Sequence, residues 1–553
     1  MPTQVSLEND GDTSRGERVA AWSLGAAGAI LVFCFALNCY RAAKQSFVHD
    51  ESLYFQMYID APLSTVFQPY PMRNGSDIQY YADPHFLFTL LMRLSSAVFG
   101  NSELSLRLAS VLAGGLFFVS VYRLCRLAFR GAWLFLLAVL ITAGNPLVLD
   151  FMVAARGYGT ALGLFTYALL QVALYFCDDD LHNDDWQPPA TLRRGRLVKA
   201  GLAIGLSFAA SNTLAPACMV LTATVAVLLW QRTRGTGGRV GAWARIAVWF
   251  FGALAIVAYL FLLTSPSVQV LHNFGETMDA NRMPEDTVFA SLRNLVQCSL
   301  QHNKGLGGIN SGVAAFSEGL GLVGWVLGFV LIPLAVLAAA WLGWQKLRQR
   351  PGESLALCSA LASTIIIGAA AQVVYLHLAF GVPMLHDRYG LYFLPFAGFA
   401  LAGAADLLRR HGGPPRVAGN AFFAAAALLA IFYCGQLNWT NFIVWKYDAD
   451  TRVLLEQVAA RAEAVQAKSA SRFAGRGPRP VVVGGSWVYE PASNYYRIVR
   501  GWTWMVPVDR GASDGDYDFY LLTPEDGDVI SRLGLERIAT GKVSGTLLAA
   551  RRR

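Results

Sequence analysis

The feature that most constrains this chain is a series of apolar stretches, each near twenty residues, separated by short loops rich in Lys and Arg. About twenty apolar residues in a row are enough to cross a bilayer as a helix. Eleven stretches meet this pattern: 20–40, 104–122, 132–149, 158–177, 197–213, 215–230, 246–264, 320–343, 355–380, 389–408 and 417–437. Only SNTLAP separates the fifth from the sixth, and Pro216 within it would break a continuous helix. The chain is 55% hydrophobic and 15% charged, whereas soluble domains run at about 45–50% apolar and about 25% charged. The pattern predicts an α-helical polytopic membrane protein. The net charge of +8 lies in the loops, so it signals topology and not nucleic-acid binding.

The loops RLCRLAFR, LRRGRLVK, QRTRGTGGR, QKLRQR and RRHGGPPR all fall on one side if the N-terminus is cytoplasmic, as basic loops should. Span 20–40 reads as an uncleaved first helix of a protein in the cytoplasmic (inner) membrane. Three longer segments then face outward: 41–103, 265–319 and the tail from 438. Two domains are expected, a membrane domain over 1–437 and an extracytoplasmic α/β domain over 438–553. The tail has an amphipathic helical run at 451–468 and strand-like runs at 480–485, 517–524 and 543–551. It carries no Gly-rich nucleotide fingerprint. The eight cysteines form no CxxC pair and read as neither a disulfide framework nor a zinc knuckle.

Ionisable groups inside a bilayer are costly and usually functional. Here the span middles are nearly free of them, His377 being the main exception, which lowers an ion-coupled transporter reading. Polar residues gather instead at the outward ends: His49, Asp50 and Glu51; Asp83 and His85; Asp150, Arg156 and Tyr158; His386, Asp387, Arg388 and Tyr389. A carboxylate can take a proton from a hydroxyl, and arginine recognises phosphate through a fork of donors. The combination suits glycosyl transfer from a lipid-phosphate sugar whose tail stays in the bilayer. A divalent metal is an open alternative, because His49, Asp50, His85, His386 and Asp387 are ligand types, although without tight ligand spacing.

Four blocks carry a family likeness: DESLY at 50–54, YYADPHFLFTLLMRLSSAVFGNSELSLRLASVLAGGLFF at 80–118, NPLVLDFMVAARGYGTALGLF at 145–165 and HDRYGLYFLPFAGFALA at 386–402. In these the chain resembles the GT-C type membrane glycosyltransferases. It looks closest to the family 39-like bacterial branch of protein O-mannosyltransferases and of lipid A aminoarabinose and galacturonic acid transferases. Gly100, Glu103 and Arg107 match a turn and helix opening of that family, and Arg156 and Tyr158 its Arg-x-Tyr position. Asp83-Pro84-His85 stands where many relatives have His-Pro-Pro. The resemblance implies Asp50 as catalytic carboxylate with Glu51 as its neighbour, a polyprenyl-phosphate sugar donor, and inversion at the sugar carbon.

The expected enzyme is a glycosyltransferase working on the external membrane face, with Asp50 as general base and Glu51 orienting the acceptor or Asp50. Arg156 and Arg388 would hold the donor phosphate, with Tyr158 and Tyr389 as hydrogen-bond donors. His85, Asp83 and Asp387 would contact donor or acceptor, the latter a lipid, glycan or protein. Segments 41–103 and 265–319 would form the acceptor cleft. A flippase for lipid-linked sugars would share the lipid groove and the arginines, without needing Asp50 as a base. A scaffold presenting the tail would need neither.

Overall fold

The computed structural model describes residues 19–68, 70–74, 77–81, 85–177, 190–234, 240–264, 287–299, 320–350, 352–382, 384–385, 387–411, 413–472 and 480–551. Helices α1 (Ala21–Lys44), α2 (His49–Tyr54), α3 (Phe86–Phe99), α4 (Glu103–Ala128), α5 (Ala132–Ala143), α6 (Pro146–Phe151) and α7 (Gly157–Phe176) form the first half. Then come α8 (Ala190–Ala210), α9 (Ala215–Arg234), α10 (Val240–Thr264) and α11 (Val288–Ser299). A short helix α12 (Leu320–Val326) runs through a π-helical turn into α13 (Ile332–Gln349), followed by α14 (Ser354–Phe380), α15 (Phe393–Arg409) and α16 (Pro414–Gly435).

Each of the eleven apolar stretches is helical, and among the described residues seven helices are long and apolar enough to cross a bilayer. This is a multi-pass membrane protein. The stretch 132–149 is not one helix, as expected from its apolarity, but α5 and α6 with a corner between them. Asn145 makes the corner: its side-chain oxygen accepts the Leu147 and Val148 N–H groups at 3.0 and 3.3 Å, and Pro146 follows where no N–H is needed. The SNTLAP break is present as a single 3-10 turn, Asn212–Leu214, between α8 and α9.

The two ends of the bundle differ in chemistry. At one, Glu353 pairs with Lys346 and Arg410, both at 3.3 Å, drawing the QKLRQR and RRHGGPPR loops together. At the other lie the C-terminus of α1, the N-termini of α4 and α7, and the turn before α15. His377, in the last turn of α14, pairs its ring with the Val382 carbonyl at 2.9 Å, so it belongs to this second end and not to a span middle.

The C-terminal region folds as α17 (Thr451–Arg472), α18 (Glu490–Val499), α19 (Asp528–Arg532) and a four-stranded sheet. Two strands, β1 (Tyr70–Asn74) and β2 (Asp77–Tyr81), form a separate hairpin after α2. The sheet comprises β3 (Val483–Gly485), β4 (Phe519–Leu522), β5 (Glu536–Thr540) and β6 (Leu547–Ala550), in the order β3-β4-β6-β5 with only β3 and β4 parallel. The three strand-like runs of the tail correspond to β3, β4 and β6. The small domain is an α/β unit, and it does not stand apart. Phe47 stacks on Tyr495 at 4.2 Å, Phe55 meets the same ring edge-on at 5.1 Å, and both join Met92, Leu106, Leu455 and Val458 in one core. Burial of such side chains contributes about 1.5–3 kcal/mol each, so the segment after α1 is anchored by the tail.

Candidate active site

Helix α2 begins where the chain leaves α1, and its two carboxylates face different surroundings. Glu51 is fully buried. Its carboxylate accepts Arg107 Nε at 2.8 Å and reaches back to the Val48 N–H at 3.1 Å. A carboxylate in the first helical turn also suits the positive end of the helix dipole. Arg107 arrives through a defined corner: Gly100, at φ +77°, ends α3, and the Ser102 hydroxyl accepts the Ser105 N–H at 3.2 Å to start α4. Beyond Glu51, the Arg107 guanidinium donates to the carbonyls of Ala42, Gln45 and Ser46 at 3.2, 2.9 and 2.8 Å. A parallel pair lies beside it. Arg41 bonds Asp150, whose second oxygen accepts the Ile443 N–H at 2.6 Å. Asp150 therefore ties α1 to the chain after α16, and its carboxylate is not part of the Asp50 constellation.

Asp50 is only partly covered, at 19% side-chain exposure, and Arg388 approaches its carboxylate at 3.3 Å. The Trp445 side chain donates to it as well, and Arg156 donates to the Asp50 backbone carbonyl at 3.4 Å. Burial pushes the Asp50 carboxyl up, but Arg156 and Arg388, with His49 and Trp445, outweigh it and hold its pKa below the usual carboxylate value. The Arg156 guanidinium lies 4.4 Å from the centre of the Tyr54 ring, and its buried Nε has no acceptor among the described residues. Arg388 sits in the 3-10 turn Asp387–Gly390, over Tyr389 at 5.6 Å and Trp445 at 5.9 Å. Tyr158 bonds Arg156 and meets Tyr389 edge-on at 6.0 Å. A Cβ on Gly157 would collide with the Ala210 carbonyl and the His85 ring, so glycine is required for this start of α7.

Asp50, Arg156, Tyr158, Arg388 and Tyr389 thus converge, as their positions at span ends suggested. His85 is nearby but fully buried, its ring edge-on to Tyr158 at 4.5 Å and tilted to Tyr54 at 5.8 Å. Burial, with Arg156 and Arg388 adding, lowers its pKa well below the usual imidazole value, so it packs as a neutral ring. Asp83 and His386 lie outside the described residues, and Asp387 is described only as backbone in its turn. His49 turns away: its N–H donates to Asp448 at 2.7 Å, and its ring pairs with the Val488 carbonyl at 2.7 Å. Among the described residues no three His, Cys, Asp or Glu side chains gather as metal ligands. With His49 and His85 engaged elsewhere, the described donors do not fit a metal at Asp50, and no step is routed through one.

No protein-family model matches the chain, and no curated protein does. Among solved structures, it is similar to ArnT from Cupriavidus metallidurans in the apo state, at 13% identity over 95% of this chain and 98% of that one, with a TM-score of 0.48. The same protein bound to undecaprenyl phosphate gives 13% identity, 96% and 98% coverage, and 0.43. The archaeal oligosaccharyltransferase AglB from Archaeoglobus fulgidus, in complex with an inhibitory peptide and a dolichol-phosphate, gives 13% identity, 86% and 64% coverage, and 0.41. Likeness of this degree leaves the chemistry to be argued from the site itself.

Beside the site is an apolar cavity of about 460 Å³, between α11, α13, α14, α15 and α16. Met384 and Leu385 on one side of the Arg388 turn, and Phe393 and Leu394 on the other, line it. Gly390 packs against Leu295 of α11, another lining residue, so the arginine turn lies against the cavity wall. The described part of segment 265–319 is therefore a cavity wall. Residues 265–286 and 300–319, expected to help form an acceptor cleft, lie outside the described residues.

Three contributors escaped the sequence reading. Tyr54 is one helical turn after Asp50, and that i, i+4 spacing was a usable signal. Trp445 and Asp448 follow the last span by about ten residues, and only the fold brings them back to α2.

Proposed function

We propose that this protein is a membrane glycosyltransferase that moves a sugar from a polyprenyl-phosphate donor to an acceptor hydroxyl, with inversion. One observation carries the reading. Among the described side chains, two arginines face a single carboxylate beside an apolar cavity. Arg156 keeps a buried Nε with no acceptor among the described residues, a donor suited to an anion joined to an apolar chain. A lipid phosphate has both parts.

The roles follow from the geometry. The lipid lies along α11 to α16, and its phosphate reaches Arg156 and Arg388. Tyr158 and Tyr389 flank the guanidinium groups. The acceptor oxygen attacks the anomeric carbon from the side opposite the phosphate. A C–O bond forms, the anomeric C–O bond to phosphate breaks, and its electron pair leaves on the phosphate oxygen. Asp50 takes the acceptor proton. One displacement gives inversion and releases the polyprenyl phosphate. A carboxylate held by two arginines is a weak base. Donor phosphate that draws on those arginines raises the proton affinity of Asp50, so the base is activated when the donor is present. Glu51, locked to Arg107, acts as a positioning residue that sets α2 and thereby Asp50.

The test uses the full chain in liposomes supplied with polyprenyl-phosphate sugars. Sugar transfer that D50N abolishes, with the variant folded, supports the reading. Transfer by D50N at the wild-type rate overturns it, and so does lipid movement across the bilayer without transfer, which is flippase behaviour.

A further inference from the structure

The transferase reading leaves the acceptor unidentified, and the C-terminal domain presents a side chain suited to it. Trp487 is 56% exposed, the most exposed large apolar side chain among the described residues of that domain. Its ring lies 5.6 Å from the His49 ring, at 88° to it, and His49 precedes Asp50. The Arg510 guanidinium stands over the same indole at 5.4 Å. Arg510 is itself held by Glu490 at 3.2 Å, and Glu490 also accepts the Asn494 side-chain amide at 2.8 Å.

The ring is presented on a rigid base. It opens the 3-10 turn Trp487–Tyr489. The residue before it, Ser486, donates its N–H to the Leu521 carbonyl at 2.9 Å. The residue that ends the turn, Tyr489, is buried with its hydroxyl 2.9 Å from that of Thr546. An apolar ring kept in water, with Arg510 of an Arg–Glu–Asn network over it and His49, the neighbour of the proposed base, edge-on to it, is a preorganised binding surface and not a stray surface residue.

We propose that Trp487, with Arg510 over one side of the indole, binds a saccharide ring of the acceptor and presents its hydroxyl to Asp50. This rests on the transferase reading above. A pyranose has a flat face of C–H bonds and an edge of hydroxyls. Its C–H face fits the electron-rich indole face, and its hydroxyls fit the Arg510 guanidinium. An extended peptide is the alternative, and at Val481, just before β3, the strand edge is already taken: the Val481 N–H donates to the Trp504 carbonyl at 2.7 Å, and the Val506 N–H to the Val481 carbonyl at 3.2 Å.

The experiment is saturation-transfer NMR on the full chain in detergent. The probes are methyl glucopyranoside and methyl N-acetylglucosaminide, with a Ser/Thr-containing peptide in parallel. Saturation should reach the ring C–H protons of a glycoside, fall about tenfold in W487A, as loss of an aromatic contact near 1.4 kcal/mol would give, and largely return in W487F. The variant W341A, which removes an exposed tryptophan of α13, should change nothing. No glycoside signal in the wild type, equal signals in W487A, or a Trp487-dependent signal from the peptide alone would each overturn the proposal. Polyprenyl-phosphate binding on the same samples separates the two readings. If lipid phosphate binds through Arg388 while glycoside signals ignore Trp487, the platform fails alone. If glycosides bind through Trp487 and no lipid phosphate binds, the donor assignment fails alone.

Discussion

The Glu51–Arg107 region and the Asp50–Arg388 region begin one residue apart and treat charge in opposite ways. Around Glu51 each arginine has its own carboxylate, Arg107 with Glu51 and Arg41 with Asp150, and the paired side chains are at most 3% exposed. The remaining Arg107 donors end on backbone carbonyls. Around Asp50, Arg156 and Arg388 both face one carboxylate among the described side chains, and the Arg388–Asp50 pair is 22% and 19% exposed. A buried network in which each arginine has its own carboxylate holds the fold in place. A half-open one, with the buried Arg156 Nε lacking an acceptor among the described residues, has capacity left for a ligand. This contrast separates structure from function where composition alone shows two acidic residues in a row.

The sharpest way to break the contrast is on the buried side. Arg107→Leu leaves Glu51 buried without its partner, which should cost about 3–5 kcal/mol. Loss of folded protein in size-exclusion chromatography or thermal unfolding is the expected result. D50N should leave folding intact and lower transfer by about 10²–10⁴-fold, the usual reach of a general base, read as initial rate per folded protein. If D50N unfolds the chain as Arg107→Leu does, the two regions do not divide as described.

Arg388→Ala should weaken lipid-phosphate binding about 10–100-fold, as loss of a charged hydrogen bond would, measured by titration of polyprenyl phosphate. The same variant carries a pH signature. Asp50 is held below the usual carboxylate value, so wild-type kcat/KM should fall only on the acid side. Without Arg388, burial is less opposed and the acid limb should move to higher pH. In the wild type the acid limb of kcat, which reports the donor complex, should also lie above that of kcat/KM. Coincident limbs would argue against activation of Asp50 by the donor. The smallest effect belongs to Tyr389→Phe, which keeps a ring beneath Arg388 and should change donor affinity by less than about threefold.

Much of the architecture was legible because a bilayer forces helices of fixed length and keeps charged side chains toward their ends. Asp50, Arg156 and Arg388 could be picked out for that reason. The tail strands were readable from their apolar runs, but β5 was not, because its residues Glu536–Thr540 are largely exposed and lack such a run. Apart from the family likeness, the residues alone could not tell Glu51 from Asp50, since the difference lies in Arg107, 56 residues away. Trp445 and Asp448 were illegible for a similar reason. An indole bonded to the Asp50 carboxylate looks, in sequence, like any aromatic residue following a span. Asp448 is fully buried, and burial, with Asp50 and Glu51 adding, pushes its pKa to about 8. That environment exists only once the tail has docked.

The docking of the tail onto α2 has a consequence for how the protein is made. Phe47 bonds a tyrosine 449 residues further on, and His49 a carbonyl 439 residues further on. At about 5–20 residues per second, a ribosome needs roughly 20–90 s to cover that distance. Through that interval the first helix is already synthesised while the partners of its outward end do not yet exist. Asp50's own partners Arg156, Arg388 and Trp445 are made earlier, but the residues on either side of α2's start wait for Val488 and Tyr496.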